Sequence, residues 1–414
     1  MTTNSNPMIY PRLCVAYFCQ FAIWGSWAGA LGGYAAELSL PGWQVGWLYS
    51  AIPLGAIIAP LFVGPIADRF FPAQIVCGVL HLLGGLCLLG CGAMCLGATS
   101  ASPPSFIVLA TLMIFSGICF MPTIALLNSI VFKHLPNASS APYVFVFGTA
   151  GWIVVNLCID WFCGGAKYPY FFFVGGGLSV FQAIYCMTLP HTPPKGAPAP
   201  GEKSDALGLG ALKLLFADRG FFVFVVCVFL VGIPACNYYF PAMVPYLTDS
   251  GYKNALSLTT INQFSELAFM ALLPICIARF GLKNVLLLGM GAWTIRYFLF
   301  MVPALAIPGL LLHGLAYAFF YVAAYTYADK KSPPELKASV QCFMVFLLLG
   351  VGQVLGGQLY GFTSDNFVTI TDEIAVKNWA MIFGVPAVFF AVMTLVFLAL
   401  GKDPEEPVVE GEKK

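Results

Sequence analysis

The residues best placed to do chemistry in this chain carry charge where charge is expensive. Glu266 and Arg296 stand inside long apolar stretches, and ionisable groups at such depth are costly to keep and are as a rule functional. Glu266 lies thirteen residues before Arg279, and Arg296 lies thirteen residues after Lys283. If both stretches are helices, a rise of 1.5 Å per residue puts both side chains roughly 20 Å from the same boundary. At equal depth they can communicate directly or through one water. Two readings of Glu266 compete. In one it binds and releases a proton, with burial and Arg296 acting on its proton affinity in opposite directions. In the other, Glu266 and Arg296 form a fixed structural ion pair. Gln263, one helical turn earlier on the same face, favours the working role for Glu266. For Arg296, support is the expected role.

What positions these residues can be read from composition. Hydrophobic residues make up 60% of the 414 residues and charged residues 9%, where a soluble domain carries about 25% charged. So few charges cannot cover a soluble surface, and the mean hydropathy of +0.86 agrees. A polytopic all-α membrane protein is expected. A spanning helix needs about 20 residues, and the apolar runs give twelve transmembrane helices. They lie near 11–37, 43–67, 73–97, 104–132, 141–163, 168–189, 219–248, 255–279, 283–301, 306–328, 336–361 and 376–400, numbered here as spans one to twelve. The polar start, Met1 to Arg12, has no cleavable apolar segment of its own, so span one is expected to be retained as the insertion signal.

The Pro-rich polar stretch 190–218 reads as a linker. It divides an N-terminal six-helix bundle, 1–189, from a C-terminal one, 219–402, with a short tail at 403–414. Placing the N-terminus inside puts fifteen Lys and Arg on the inner side and three, Lys167, Lys253 and Lys377, outside. That bias predicts cytoplasmic termini, linker and tail. Weak echoes recur at half-chain spacing. Asp68-Arg69-Phe70 ends span two and Ala278-Arg279-Phe280 ends span eight, while Lys133-His134-Leu135-Pro136 and Lys330-Lys331-Ser332-Pro333 close spans four and ten. A net charge of +1 offers no basic surface for nucleic acid. The fourteen cysteines sit mostly in apolar runs without a paired CxxC set and read as small core hydrophobes.

The element Gly64-x-x-x-Asp68-Arg69 between spans two and three resembles the signature loop of the major facilitator superfamily. Asp68 and Arg69 are read as an inner-face gating latch, with Phe71-Pro72 in place of the usual Gly-basic continuation. A closer resemblance, to the bacterial nucleoside:proton symporter family, is carried by several stretches. They are Gln20-Phe21-Ala22-Ile23-Trp24-Gly25-Ser26-Trp27, Met121-Pro122-Thr123 through Asn128, Phe147-Gly148-Thr149-Ala150-Gly151, Gln263-Phe264-Ser265-Glu266, Arg279-Phe280-Gly281-Leu282-Lys283-Asn284-Val285 and Ala292-Trp293 through Arg296. The resemblance implies nucleoside uptake driven by protons through alternating access. It implies further that Thr149, Gln263 and Glu266 contact nucleoside or handle the proton. Two positions depart from the expected pattern: Phe145 stands where a basic residue is expected, and Ala318 where an acid is expected.

A nucleoside presents a flat base and a hydroxyl-rich sugar, so its site needs aromatic faces together with amides or hydroxyls. Besides Gln263 and Glu266, the residues nominated as substrate-binding are Gln20, Trp24, Trp27, Asn128 and Thr149 in the first half. In the second half they are Asn237, Tyr238, Tyr239, Phe319, Phe320 and Tyr321. For each aromatic the alternative is packing or lipid contact, and for each amide an interhelical hydrogen bond. His81 and His313 are expected to be packing residues rather than proton relays. Glu37 and Asp160, near outer ends, are expected to be solvated. The glycines of span eleven suit a helix that slides or bends, or one that is simply close-packed. No cofactor and no metal is expected, and no Ser/His, HExxH or metal-ligand constellation suggests an enzyme. The partners expected are a small-molecule substrate, protons and the lipid bilayer, around a monomer in the bacterial inner membrane. A carrier, even an uncoupled one, for another neutral solute such as a sugar is the rival, supported by Phe145 and Ala318. A receptor or sensor would be expected to carry more than this short tail.

Overall fold

The structure is a computed structural model that describes residues 8–135, 137, 140–194, 205, 207–371 and 374–404, with the side chains of 63–69 and 370–375 outside the description. All twelve expected spans are helical. Among the described residues nine helices are long and apolar enough to cross a membrane. A tenth is bent by 51° between Pro303–Leu311 and His313–Lys331. The two remaining spans are the shorter Tyr170–Cys186 and the Arg-bearing Leu282–Phe300. The number and order of the helices fit the twelve-span expectation.

Contacts divide the chain into two compact units. The first comprises Met1–Lys203 with Tyr239–Thr260, and the second Ser204–Tyr238 with Ile261–Lys414. Span seven is broken where Pro234 removes a backbone donor. The helix Arg219–Ala235 ends there and Tyr239–Asp249 begins four residues on. The second piece packs within the first unit, where Gly32 lies so close to Pro241 that a side chain at 32 would meet the Pro241 carbonyl at 2.5 Å. Asp160 is not simply solvated there: it accepts a hydrogen bond from the Ser257 amide at 2.8 Å.

Each unit repeats one packing scheme. In the first, span one packs on five, three on six, and two on four. In the second, seven packs on eleven, nine on twelve, and eight on ten. Glycines set the closest approaches. A Cβ on Gly117 of span four would lie 2.1 Å from the carbonyl oxygen of Ala51 and 3.1 Å from the amide nitrogen of Ile52. A Cβ on Gly314 of span ten would lie 2.2 Å from the carbonyl oxygen of Ser265 and 2.5 Å from the amide nitrogen of Glu266. The same helix crossing is therefore built twice.

Two spans of the second unit depart from regular α-helix. Span ten carries a π-helical turn over Ala318–Val322 and span eleven another over Phe346–Val351. At the start of span seven, Asp218 caps the helix by accepting from the Phe221 amide at 2.8 Å, and it meets the Lys331 ammonium at 2.9 Å. Partial burial pushes the Asp218 carboxyl up, but the Phe221 amide and Lys331 outweigh it and hold it below the usual carboxylate range. Beyond span eleven, an antiparallel hairpin of β1 (Val368–Thr371) and β2 (Ile374–Lys377) precedes span twelve.

Candidate functional site

The Gly314 crossing in the second unit is where the chemistry collects. Span eight (Ile261–Phe280) brings Asn262, Gln263, Ser265 and Glu266. Span nine (Leu282–Phe300) brings Trp293 and Arg296, and span ten brings His313, Tyr317 and Tyr321. The Ser265 hydroxyl donates to the Leu311 carbonyl and accepts from the Gly314 amide at 3.0 Å. That staple joins the chain neighbours of Glu266 and His313, and so fixes how far apart those two side chains stand. Oε2 of Glu266 lies 3.9 Å from Nε2 of His313, with the carboxylate side chain 23% exposed and the imidazole 11%. The His313 ring meets Trp293 edge-on at 6.0 Å and leans on Tyr317 at 5.6 Å.

Arg296 is fully buried. Its Nε donates to the Gly309 carbonyl at 3.0 Å and one terminal nitrogen donates to Asn262 Oδ1 at 3.4 Å. The guanidinium also lies over the rings of Trp293 and Phe300, at 5.0 and 5.2 Å. Its hydrogen bonds thus tie span nine to spans ten and eight. Near Glu266, the Gln263 Oε1 is enclosed without a hydrogen-bond partner among the described residues, and so is the Trp293 Nε1. Leaving a buried polar atom unmet costs about 1–3 kcal/mol. Gln263 Oε1 and Trp293 Nε1 are thus an acceptor and a donor that a polar guest could satisfy.

The other nominated residues of this unit do different work. Asn237 donates to the Gln353 carbonyl at 2.9 Å, fastening span seven to eleven. Tyr238 is fully enclosed, its hydroxyl 2.7 Å from Thr363 Oγ1 and donating to the Ile382 carbonyl at 2.5 Å. In this structure the polar atoms of both are engaged with neighbouring helices. Phe320 is likewise fully enclosed. Phe319 meets Phe269 edge-on at 6.2 Å, and Tyr321 lies 5.2 Å from Tyr317 at the lower edge of the Glu266 group. Ala318 is fully buried in the first residue of the π-turn, so the missing acid leaves packed backbone in its place.

In the first unit, Gln20 is buried within a closed chain of donors. His81 Nε2 donates to Gln20 Oε1 at 2.9 Å, Gln20 Nε2 donates to Thr123 Oγ1 at 2.7 Å, and Thr123 donates to the Phe120 carbonyl at 2.6 Å. Ser179 adds a hydroxyl 3.3 Å from His81 Nδ1. Both ends of the Gln20 amide are thereby engaged, and in this structure Gln20 ties spans one, three and four together. Beside it Trp27, Ile52, His81 and Ser116 line a cavity of about 10 Å³, the room of one water. Trp24 meets Trp152 edge-on at 5.7 Å, and Asn128 accepts from the Tyr17 hydroxyl. Thr149 is half-buried on span five. Tyr239 is buried against Phe240 at 5.7 Å. Phe145, where a base is expected, lies tilted against Tyr17 at 4.8 Å, half-buried against the apolar core. The side chains of Asp68 and Arg69 lie outside the described residues.

Sequence reasoning missed His313 as a partner of Glu266. The available signal was an intramembrane His preceding a Gly, but nothing in the spacing pairs it with Glu266.

A profile of the family described as "Nucleoside H+ symporter" matches residues 8–406. The chain belongs to that family. Among its relatives, YegT of Escherichia coli (strain K12) is 33% identical, over 96% of this chain and 95% of that one. The xanthosine permease of the same organism is 29% identical over 95% and 97%. The crystal structure of a mutant of the nucleoside transporter NupG superposes with a TM-score of 0.86 at 25% identity, over 95% of this chain and all of that one. A D-xylose–proton symporter structure, with a TM-score of 0.75 at 13% identity, shares the fold alone. The nucleoside H+ symporter family is a family of transporters, not enzymes, and this member is a multi-pass membrane protein.

Proposed function

We propose that this chain takes up nucleosides together with protons by alternating access, with Glu266 as the proton-carrying acid and Gln263 as a nucleoside contact. The observation that carries this reading is the pairing of a partly accessible carboxylate inside a span with an enclosed, unmet amide oxygen one turn away. A nucleoside N–H or hydroxyl would satisfy Gln263 Oε1, and aromatic rings nearby suit a base. Proton binding removes the charge of Glu266 and so changes the cost of rearranging the helices around it.

The same reading places the protein as a monomer in a bacterial inner membrane with both termini in the cytoplasm, which the Lys and Arg distribution supports. The two bundles, 1–189 and 219–402, are taken as the rocking bodies joined by the linker 190–218. The test is uptake of labelled uridine and adenosine by proteoliposomes under an imposed inward proton gradient. Gradient-stimulated accumulation is expected and should disappear in Glu266→Gln. A protein that accumulated sugars but no nucleoside would replace this reading with the neutral-solute carrier.

A further inference from the structure

We infer that the closing stretch of the linker, residues 209–217, lies on the bilayer surface as an interfacial anchor for the second unit, with Lys213 and Arg219 taking the phosphates of anionic lipid. The stretch has a fixed foothold. Asp205 accepts from the amides of Leu209 and Gly210 at 2.7 and 2.8 Å and so caps the turn that begins there. Gly208, at a φ of +70° that glycine adopts without strain, fits against span eleven where no side chain has room. A Cβ there would lie 2.0 Å from the Ser339 carbonyl oxygen and 2.3 Å from the Phe343 amide nitrogen. From this point a 3-10 turn (Leu209–Ala211) runs into a short helix (Leu212–Ala217), and span seven opens at Arg219.

The sides of this stretch differ. Ala211 is fully buried, and Leu212, Leu214 and Leu215 are half-buried. Leu209, Lys213 and Phe216, four and three residues apart, share one face. All three are exposed, Leu209 by 50% and Phe216 by 78%. What covers that face follows from where it stands. Phe216 lies three residues before Arg219, the first residue of an apolar run to Asp249 long enough to cross a membrane. Three residues of helix rise only about 5 Å, so the Phe216 ring is at the level of lipid headgroups and the first acyl carbons. An apolar face with basic neighbours at that level is the pattern of a helix that lies in the interface. The cations fit the same place. Lys213 and Arg219 are both exposed and flank Phe216 in the chain. Long basic side chains lay their stems on apolar surface and lift their charge to the phosphates. Each cation near an anionic surface strengthens attachment about fivefold. Asp218, the acid between the two, does not neutralise them, because it is engaged by the Lys331 ammonium at 2.9 Å and the Phe221 amide at 2.8 Å. Tied to span eleven at Gly208 and to lipid along its exposed face, the stretch sets the level at which span seven enters the bilayer.

The test uses the full chain in nanodiscs, with an environment-sensitive fluorescent amino acid at position 216, where exposure leaves room for it. Discs are made of phosphatidylcholine alone or with added phosphatidylglycerol. Quenching is measured with lipids that carry a nitroxide just below the headgroup and, separately, with acrylamide in the water. The nitroxide lipid should quench position 216 several-fold more strongly than acrylamide does, and phosphatidylglycerol should increase that quenching. Full quenching by acrylamide, with none from the nitroxide lipid, overturns the anchor. Protection from both quenchers overturns it too, because a second copy or another protein would then cover the face. Lys213→Gln combined with Arg219→Gln should abolish the increase with phosphatidylglycerol and leave the quenching in phosphatidylcholine discs in place. A double variant that keeps the increase, or an unsubstituted pair that shows none, overturns the role of the cations. None of these measurements involves a substrate or a proton gradient, so their outcome is independent of the transport reading.

Discussion

The crossing of spans two and four and the crossing of spans eight and ten have one backbone and two chemistries. At the first, Gly117 sits against Ala51 and Ile52, with Ser116 beside it donating to the Gly84 carbonyl at 3.1 Å. At the second, Gly314 sits against Ser265 and Glu266, with His313 beside it. The glycine is retained in both because a Cβ would enter the opposing backbone. Next to it, Ile52 and Ser116 of one copy answer to Glu266 and His313 of the other. The polar cluster nearby in the first unit, built on His81 and Gln20, is a closed run of neutral hydrogen bonds. The second unit instead holds a carboxylate, an imidazole, a guanidinium and unmet polar atoms that include Gln263 Oε1 and Trp293 Nε1. A duplicated scaffold therefore supplies rigidity twice, and a titratable centre once.

The substitution expected to do most to this contrast is Glu266→Ile, which gives the second crossing the side chain of the first. Uridine inside proteoliposomes should then equilibrate with the outside concentration and no longer exceed it under a proton gradient; accumulation that survived would make the two crossings equivalent in function. Next in size, Gly117→Ala and Gly314→Ala should each destabilise by about 1–3 kcal/mol through overpacking. Thermal unfolding in detergent checks this, and a large disparity between the two would break the structural half of the comparison. Gln20→Leu strands the donor of His81 and should cost about 1–3 kcal/mol. It should lower the unfolding temperature yet leave the pH profile of uptake where it was, since no charge is involved. The smallest effect is expected of Asp218→Asn, which keeps a helix cap but loses the Lys331 ion pair, worth about 0.5–1 kcal/mol. Because the folded Asp218 is held below its ordinary range, its contribution is present above about pH 4 and fades as pH falls below that. Unfolding curves of wild type and Asp218→Asn should therefore converge at the acid end.

Much of this is legible in the sequence. Long apolar runs are hard to mistake, so the expected spans are helical close to where the sequence places them. Glu266 and Arg296 declare themselves because charge in an apolar run has few explanations. Arg296, however, bonds to Gly309 and Asn262, which no spacing rule announces. Gln20 shows the opposite limit. An amide in an apolar helix reads alike whether it faces a pocket or neighbouring helices, and no spacing rule announces its bonds to His81 and Thr123. His313 looks like a packing residue in the sequence because its partner is supplied by a helix crossing that depends on one glycine. The break of span seven has a proline to mark it, but the grouping of Tyr239–Thr260 with the first unit is a matter of which surfaces meet.

The π-turns of spans ten and eleven have a mechanical consequence. Each stores one surplus residue within an otherwise regular helix. Were the coil to tighten back to 3.6 residues per turn, everything beyond it would rotate by about 100° about its axis and advance by about 1.5 Å. Such slack lets the far half of a helix turn a new face to its neighbours while its near half, pinned at Gly314, stays still.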